Sequence, residues 1–180
     1  MKRFLLLMTA GLFGAPLQGQ ALPPLGLEFQ VYPTGQISCI FLEKSLGEHY
    51  GLHLRVGYNR VRHRDLGVHE DERGGGFGFS VGAARWLKPG FEGWFFGVRN
   101  DWWFNELDWK DHIGTPEEVG GTTKVTVLQP TAWAGYQFRK GKLTFSPNLA
   151  FGVEVNVRTE GEPVGEGLIL LAGLRVGLGG

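Results

Sequence analysis

Residues 142–158 alternate between apolar and polar side chains over a length that is unusual for a soluble protein. One parity holds the large apolar residues Leu143, Phe145, Leu149, Phe151, Val153, Val155 and Val157. The other parity holds Ser146, Asn148, Ala150, Gly152, Glu154 and Asn156. Successive side chains of a strand point to opposite faces, and an average strand has only about 5–6 residues. A tilted strand of roughly 9–11 residues crosses a bilayer, so this pattern predicts a transmembrane strand with lipid outside and a polar lumen inside.

The same alternation recurs along the chain and predicts an all-β fold of eight strands. The predicted strands are 25–32, 36–45, 49–62, 75–88, 93–109, 121–138, 142–158 and 165–179. Short turns at 45–48, 88–92 and 139–142 separate longer polar loops at 62–74, 110–120 and 159–166. This order is typical of a single antiparallel up-and-down transmembrane β-barrel. Bacterial barrels have an even number of strands, which favours a hairpin over one continuous strand in residues 25–45.

The first 21 residues have the pattern of a secretory signal peptide. Lys2 and Arg3 precede an apolar run from Phe4 to Phe13, and Gly19-Gln20-Ala21 is a small-x-small cleavage site. The run is well short of the roughly 20 apolar residues that a spanning helix needs. We therefore expect residues 1–21 to direct export, and residues 22–180 to form one barrel in the bacterial outer membrane.

The composition argues against several classes of protein. Without Lys2 and Arg3, 16 basic residues remain against 18 acidic residues, so no basic excess suggests nucleic acid as a partner. Cys39 is the single cysteine, which excludes an internal disulfide. No spacing of His, Asp and Glu matches a metal motif, and we expect neither a metal nor a cofactor. The 30 glycines and 13% aromatic residues fit a barrel.

The inward parity collects charged residues, which we expect to form an ion-pair network in the lumen. The candidates are Glu28, His53, Arg55, Arg99, Asp101, Glu154 and Arg175. An eight-stranded barrel is just wide enough for side chains to fill its interior, and unpaired buried charges are costly. The network therefore favours a plugged barrel with a structural or surface-recognition role. A small pore for ions or solutes is an alternative, because the Gly-rich fourth strand could leave room in the lumen.

Two further sets of residues lie near the predicted membrane boundaries. Aromatic side chains favour the level of the lipid headgroups, and the predicted girdle is Trp86, Trp102, Trp103, Trp109, Tyr136 and Phe138. The first long loop contains four candidate binding residues, His63, Asp65, His69 and Asp71. They could bind an unknown ligand, or a cation that bridges lipopolysaccharide phosphates. Their spacing matches no established motif, so a solvated surface loop is the simpler interpretation.

Two other functions stay open from the residues alone. A lipid A-modifying barrel enzyme would need a Ser/His pair with a carboxylate. Ser38 and Ser80 have inward parity, but no His lies close to Ser80 in the sequence, and we expect no catalytic residues. A soluble lipocalin-like ligand-binding barrel would turn its apolar face inward. The leucines between Leu168 and Leu178 would then crowd one small cavity.

Several short motifs resemble those of Bacteroidetes-type outer-membrane β-barrel proteins. They are Arg55-Val56-Gly57-Tyr58-Asn59, Trp109-Lys110-Asp111, Gln129-Pro130-Thr131, Ala134-Gly135-Tyr136-Gln137-Phe138, Pro147-Asn148-Leu149-Ala150-Phe151-Gly152, Asn156, Gly161-Glu162-Pro163-Val164-Gly165 and Ile169-Leu170-Leu171. The resemblance implies fold and location only, because the family has no established active site. A barrel of this kind would contact outer-membrane lipid, lipopolysaccharide and the barrel insertion machinery. That machinery usually reads a C-terminal aromatic residue, whereas this sequence ends in Leu178-Gly179-Gly180.

Overall fold

The computed structural model describes residues 25–178, which form eight β-strands. The strands are β1 (Leu25–Tyr32), β2 (Gly35–Leu46), β3 (Tyr50–Arg64), β4 (Asp71–Trp86), β5 (Gly93–Asp111), β6 (Val119–Lys140), β7 (Leu143–Glu160) and β8 (Gly167–Leu178). Each strand pairs antiparallel with its sequence neighbours, and β1 also pairs with β8, so the sheet closes into a barrel. The predicted eight-stranded up-and-down barrel is confirmed. Residues 25–178 contain no helix with the length and apolarity to cross a membrane, and the predicted signal peptide lies outside the described residues.

Residues 25–45 form a hairpin, as the even strand count predicted. Tyr32 pairs with Gly35, so Pro33 and Thr34 alone make the turn. Leu25 pairs with Leu178, which brings both ends of the described chain to the same end of the barrel. We call this the turn end, because it also holds the short connections 47–49, 87–92 and 141–142. The opposite end is called the loop end.

The strands extend further into the predicted loops than the sequence pattern indicated. The connections at the loop end are reduced to residues 65–70, 112–118 and 161–166. The predicted loops were too long because charged, polar residues were interpreted as loop. Pairing continues through these residues, with Arg62 opposite Arg73 and Lys110 opposite Gly120. Backbone hydrogen bonds do not depend on side-chain polarity, so the ladder can continue beyond the apolar segment of each strand.

Large apolar side chains point out of the barrel and polar side chains point in. Val98 and Leu168 are 66% and 78% exposed, whereas Arg55 is 2% exposed. This sidedness is the reverse of what a soluble lipocalin-like barrel requires, so that alternative was wrong. Ser38 also departs from its predicted inward parity. The two-residue turn of the first hairpin turns Ile37 and Cys39 inward and leaves Ser38 on the outer surface.

The apolar outer surface is a belt with polar margins, called the apolar belt below. Toward the loop end, the last aromatic residues of the belt on β3, β4 and β5 are Tyr58, Phe77 and Phe104. Two positions further on, β3 has Arg60 and β5 has Glu106. Toward the turn end, it is bounded by Lys44, Arg85 and Lys140. On β5 the belt runs from Trp94 to Phe104, which is about the length that a tilted strand needs to cross a bilayer.

Candidate functional site

The centre of the lumen holds two arginines that share two carboxylates. Arg55 Nη2 lies 2.9 Å from Asp101 Oδ2, and Arg55 Nη1 lies 3.1 Å from Glu28 Oε2. Arg99 Nε lies 3.0 Å from Asp101 Oδ1, and Arg99 Nη1 lies 3.5 Å from Glu28 Oε1. His53 lies at the edge of this cluster, 3.9 Å from Glu28. The two positive and two negative charges balance, as buried charges must if the fold is to be stable.

Two neutral side chains outside the predicted network complete the cluster. Gln30 Oε1 accepts hydrogen bonds from Arg55 Nη1 at 2.7 Å and from Arg99 Nη2 at 3.2 Å. Ser80 Oγ accepts a hydrogen bond from Arg55 Nε at 2.8 Å. All three nitrogens of the Arg55 guanidinium are therefore engaged, which fixes its orientation. Strand parity assigned Ser80 to the inward face correctly, and it assigns Gln30 to the inward face of β1 as well.

A second ion pair lies beside aromatic rings in the same lumen. Arg175 donates a hydrogen bond to Glu43. The Arg175 guanidinium carbon is 4.2 Å from the centre of the Phe41 ring and 5.1 Å from that of the Trp133 ring. The His53 ring lies 5.5 Å from Phe41 and 5.3 Å from Trp133, measured between ring centres. These contacts pack cationic and aromatic groups together and leave little free cross-section in this part of the barrel.

Glu154 does not join the lumen network, contrary to the sequence prediction. It lies near the loop end of β7, opposite Gly167 at the start of β8. Within residues 25–178 it forms no salt bridge, and Glu43 supplies the third carboxylate instead. Glu154 lines a cavity of about 10 Å³ with Asn156 and Val164. Parity assigned Glu154 to the correct face, but it could not show that its level in the barrel differs from that of the arginines.

A tryptophan ring packs against one inward glycine of β4. Trp103 is fully buried, and its Nε1 donates a hydrogen bond to Gln129 Oε1 at 2.8 Å. A Cβ atom on Gly78 would lie 2.3 Å from the Trp103 ring and 2.1 Å from the carbonyl oxygen of Trp102. Glycine at position 78 is therefore needed for the ring to pack against the wall. The Trp103 ring therefore occupies the space beside Gly78.

Only part of the predicted aromatic girdle lies on the outer surface. The outward members are Trp102, Tyr136 and Phe138. Trp86 and Trp103 are buried in the lumen, and Trp109 has inward parity and stacks on His69 with ring centres 4.2 Å apart. The prediction was wrong for these three residues because it used their position along the strand without their parity. Adjacent residues such as Trp102 and Trp103 cannot share a face of one strand.

The four candidate residues of the first long loop do not converge on one site. His63 Nδ1 lies 2.7 Å from Glu72 Oε2, and His69 Nδ1 lies 2.7 Å from Asp111 Oδ2. The other two candidates are Asp65, which follows β3, and Asp71, which begins β4. Across the described residues, no group of three or more His, Cys, Asp and Glu is placed to hold a metal ion. The two histidines instead link strands and loops by pairing with carboxylates.

Glu72 is the main link between segments at the loop end, beyond the apolar belt. Its Oε1 accepts hydrogen bonds from the backbone N–H groups of Val68 at 2.8 Å, His69 at 3.1 Å and Gly165 at 3.2 Å. Burial alone would raise the pKa of Glu72, but the hydrogen bonds from His63 and from these backbone groups lower the pKa from 4.5 to about 2. One carboxylate therefore holds β3, the 65–70 loop and the 161–166 loop together.

The 161–166 loop is hydrogen-bonded to several strands at the loop end of the barrel. Thr123 Oγ1 donates a hydrogen bond to the carbonyl oxygen of Glu162 at 2.9 Å, and Asn156 Nδ2 donates to that of Val164 at 3.0 Å. Val164 is buried. The loop is thus attached to β6 and β7 as well as to Glu72 on β4, and Val164 belongs to the buried apolar cluster of the barrel.

Two serines of the described barrel are buried in the lumen, and two are exposed. Ser80 is bound to Arg55, and Ser146 Oγ donates a hydrogen bond to Gln137 at 3.1 Å. Ser38 lies on the outer surface, and Ser45 has inward parity but is exposed at the turn end of β2. Within residues 25–178 no serine side chain is hydrogen-bonded to a histidine.

No protein-family model matches the sequence, and no curated protein matches it. The family resemblance of the short motifs therefore stays a prediction. Among solved structures, the N-terminal β-barrel domain of Pseudomonas aeruginosa OprF is similar, with a TM-score of 0.47 and 13% sequence identity. The match covers 88% of this chain and 100% of the OprF domain.

Proposed function

We propose that this protein is an exported outer-membrane β-barrel with a plugged lumen and a structural or surface-recognition role. The observation that supports the proposal is the sidedness of the wall, which has an apolar belt outside and arginines paired with carboxylates inside. In lipid, every backbone polar group needs a protein partner, and a closed ladder of strands provides one. Residues 1–21 would direct export. Outer-membrane lipid and lipopolysaccharide would surround the belt, and the barrel insertion machinery would place the chain there.

Two obstacles in series support a plugged lumen over a small pore. The first is the cluster of Arg55, Arg99, Glu28 and Asp101, and the second is the 161–166 loop at the loop end. A conducting path would have to separate the arginines from their carboxylates. Leaving either charge buried and unpaired costs several kcal/mol, so the paired, closed arrangement is strongly favoured.

Conductance in planar lipid bilayers tests the proposal, with a heat-shift gel to confirm that the refolded barrel has inserted. We expect a heat-modifiable band and no discrete channels from the wild-type protein. Trp103→Ala combined with Val164→Ala should create a measurable leak, because the pair removes the buried ring beside the ion cluster and the buried side chain of the 161–166 loop, and so weakens both obstacles. Trp102→Ala is the matched control, since it removes a neighbouring ring from the outer surface and should stay silent.

Three results would contradict the proposal in different ways. Discrete wild-type channels that change in an Arg99→Gln variant would make the protein a small pore. A protein that stays monodisperse without detergent and shows no heat shift would not be a membrane barrel. Hydrolysis or transfer of acyl chains on lipid A by the folded barrel would make it an enzyme.

A further inference from the structure

Four arginines lie on the outer surface of β3 and β4, beyond the apolar belt. Arg60, Arg62 and Arg64 alternate along β3, Arg73 lies on β4, and all four are exposed. We call them the arginine patch. Arg62 and Arg73 are directly opposite each other in the β3–β4 ladder. Like charges in directly opposite positions of a sheet are destabilising, so fold stability does not explain this arrangement.

Neighbouring carboxylates do not neutralise the arginine patch. Asp71 is opposite Arg64, and Asp108 is opposite Arg73. Even so, within residues 25–178 none of the four guanidinium groups lies within 4 Å of a carboxylate, and the exposed ion pairs involve other residues. Asp108 accepts a hydrogen bond from Thr122 Oγ1 at 2.7 Å instead. The patch therefore presents net positive charge.

The arginine patch lies at the level that lipid headgroups would occupy. Arg60 is the next outward residue after Tyr58, and Tyr58 packs edge to face on Phe77 at the margin of the apolar belt, with ring centres 5.1 Å apart. Arg73 lies four positions beyond Phe77 toward the loop end of β4. Aromatic rings favour the interface, and the phosphates of a lipid lie just beyond it.

The first hairpin, β1 and β2, extends less far toward the loop end than β3 and β4, which carry the arginine patch. β2 begins at Gly35, which pairs with Val61, and the N–H of Arg62 donates a hydrogen bond to the carbonyl oxygen of Thr34 in the turn. Beyond that bond, residues 63 and 64 of β3 have a strand neighbour only on the β4 side. β8 lies on the other side of this short hairpin. Among the described residues, no Cα of β3 comes within 8 Å of a Cα of β8. Leu168 and Leu170 of β8 point outward and are exposed. The short first hairpin thus forms a shoulder with a basic edge and an apolar edge.

We propose that this shoulder binds the phosphate groups of an anionic lipid in the outer leaflet. The arginine patch would hold the phosphates, and Leu168 and Leu170 would contact an acyl chain. Arginine forms paired, charge-assisted hydrogen bonds with phosphate oxygens. A phosphate between Arg62 and Arg73 would also turn their repulsion into attraction. The inference rests on the proposed outer-membrane function.

The test compares phosphorylated and uncharged lipid as surroundings of the same folded barrel. Wild type and Arg62→Gln/Arg73→Gln are inserted into phosphatidylcholine vesicles with and without diphosphorylated lipid A, and urea unfolding is followed by tryptophan fluorescence. In phosphatidylcholine alone, the variant should unfold at higher urea than wild type, because the repulsion is gone. With lipid A the order should reverse, and the apparent affinity for lipid A should fall about tenfold in the variant.

Two controls establish where the charge must lie and which anion binds. Lys44→Gln/Lys140→Gln removes the same charge at the turn end and should respond to lipid A as wild type does. Inorganic phosphate in place of lipid A distinguishes the two possible sources of the anion. Stabilisation by lipid A alone supports a lipid site, whereas equal stabilisation by inorganic phosphate would overturn the assignment to lipid.

Failure of the lipid site can be told apart from failure of the proposed function. If the wild type gives no heat shift in phosphatidylcholine vesicles, the membrane-barrel function itself is wrong. If the wild type inserts but lipid A stabilises it and the Arg62→Gln/Arg73→Gln variant equally, only the arginine patch proposal is wrong. The same conclusion follows if lipid A does not stabilise the inserted wild type.

Discussion

Arg55 and Asp101 meet across the lumen, with Nη2 and Oδ2 2.9 Å apart and both side chains almost completely buried. They lie on β3 and β5, two strands that are separated by β4 and do not pair with each other. The ion pair therefore connects parts of the wall that backbone hydrogen bonds do not join directly. An exposed ion pair stabilises a protein by about 0–1 kcal/mol, whereas breaking a buried one is far more costly.

Asp101→Asn should lower the free energy of unfolding by about 3–5 kcal/mol. The substitution leaves Arg55 and Arg99 with Glu28 as their remaining carboxylate, so one positive charge is buried without a counter-charge. Urea unfolding of the vesicle-inserted protein measures the change. Glu106→Gln is the control, because the Glu106 pair with Lys124 is exposed and its loss should cost less than about 1 kcal/mol. Equal losses in the two variants would contradict a stabilising role for the buried cluster.

Glu154→Leu should leave the free energy of unfolding unchanged or raise it slightly. Glu154 forms no salt bridge within residues 25–178, so its removal leaves no arginine without its carboxylate partner. A leucine would pack beside Val164, which lines the same small cavity. The same urea titration provides the measurement. A loss of about 2 kcal/mol or more would mean that Glu154 has a stabilising partner after all.

Gly78→Ala should destabilise the barrel by about 1–3 kcal/mol, the usual effect of overpacking. The added methyl group would collide with the buried Trp103 ring and with the backbone of Trp102. Ala83→Val on the outer face of the same strand is a suitable control, because it adds volume toward the surroundings of the barrel. If Gly78→Ala were as stable as the control, the lumen around Trp103 would be looser than its burial indicates.

Brominated acyl chains should quench the fluorescence of Trp102 but not that of Trp103. The two residues are neighbours in sequence, but Trp102 faces outward in the apolar belt and Trp103 faces the lumen. In vesicles of brominated lipid, Trp102→Phe should therefore reduce the quenched fraction of the fluorescence, whereas Trp103→Phe should increase it. The reverse pattern would mean that the inner and outer faces have been exchanged.

Acid should loosen the loop end as Glu72 becomes protonated. The pKa of Glu72 is lowered from 4.5 to about 2 in the folded protein. A carboxylate with a lowered pKa stabilises the fold above its unfolded pKa, and that stabilisation is lost as the pH falls from 4.5 toward 2. Amide hydrogen exchange of Val68, His69 and Gly165, corrected for intrinsic rates, should rise over this range. Glu72→Gln should remove the pH dependence, and an unchanged acid response would assign it to another group.

The alternation of side chains was enough to predict the architecture and most of the sidedness. Strands as long as β7 with an apolar outer face are long enough to cross a membrane. In lipid, the backbone hydrogen bonds of such strands are all satisfied only if the strands close into a barrel. The same rule placed Arg55, Arg99, Asp101 and Glu28 in the lumen, where the structure brings them together. Near the first hairpin the rule failed for Ser38, because the length of one turn sets the parity of the whole following strand.

The tertiary structure alone decided which inward residues meet. Glu43, and not Glu154, pairs with Arg175, and the ring of Trp103 fills the space beside Gly78. The alternation of side chains along a strand shows which face a residue occupies, but it does not show the height of that residue in the barrel. Height depends on the tilt and stagger of the strands, which are set when all eight close into one ring. The partners of a lumen charge therefore come from strands far apart in sequence, and only closure of the barrel brings them to the same level.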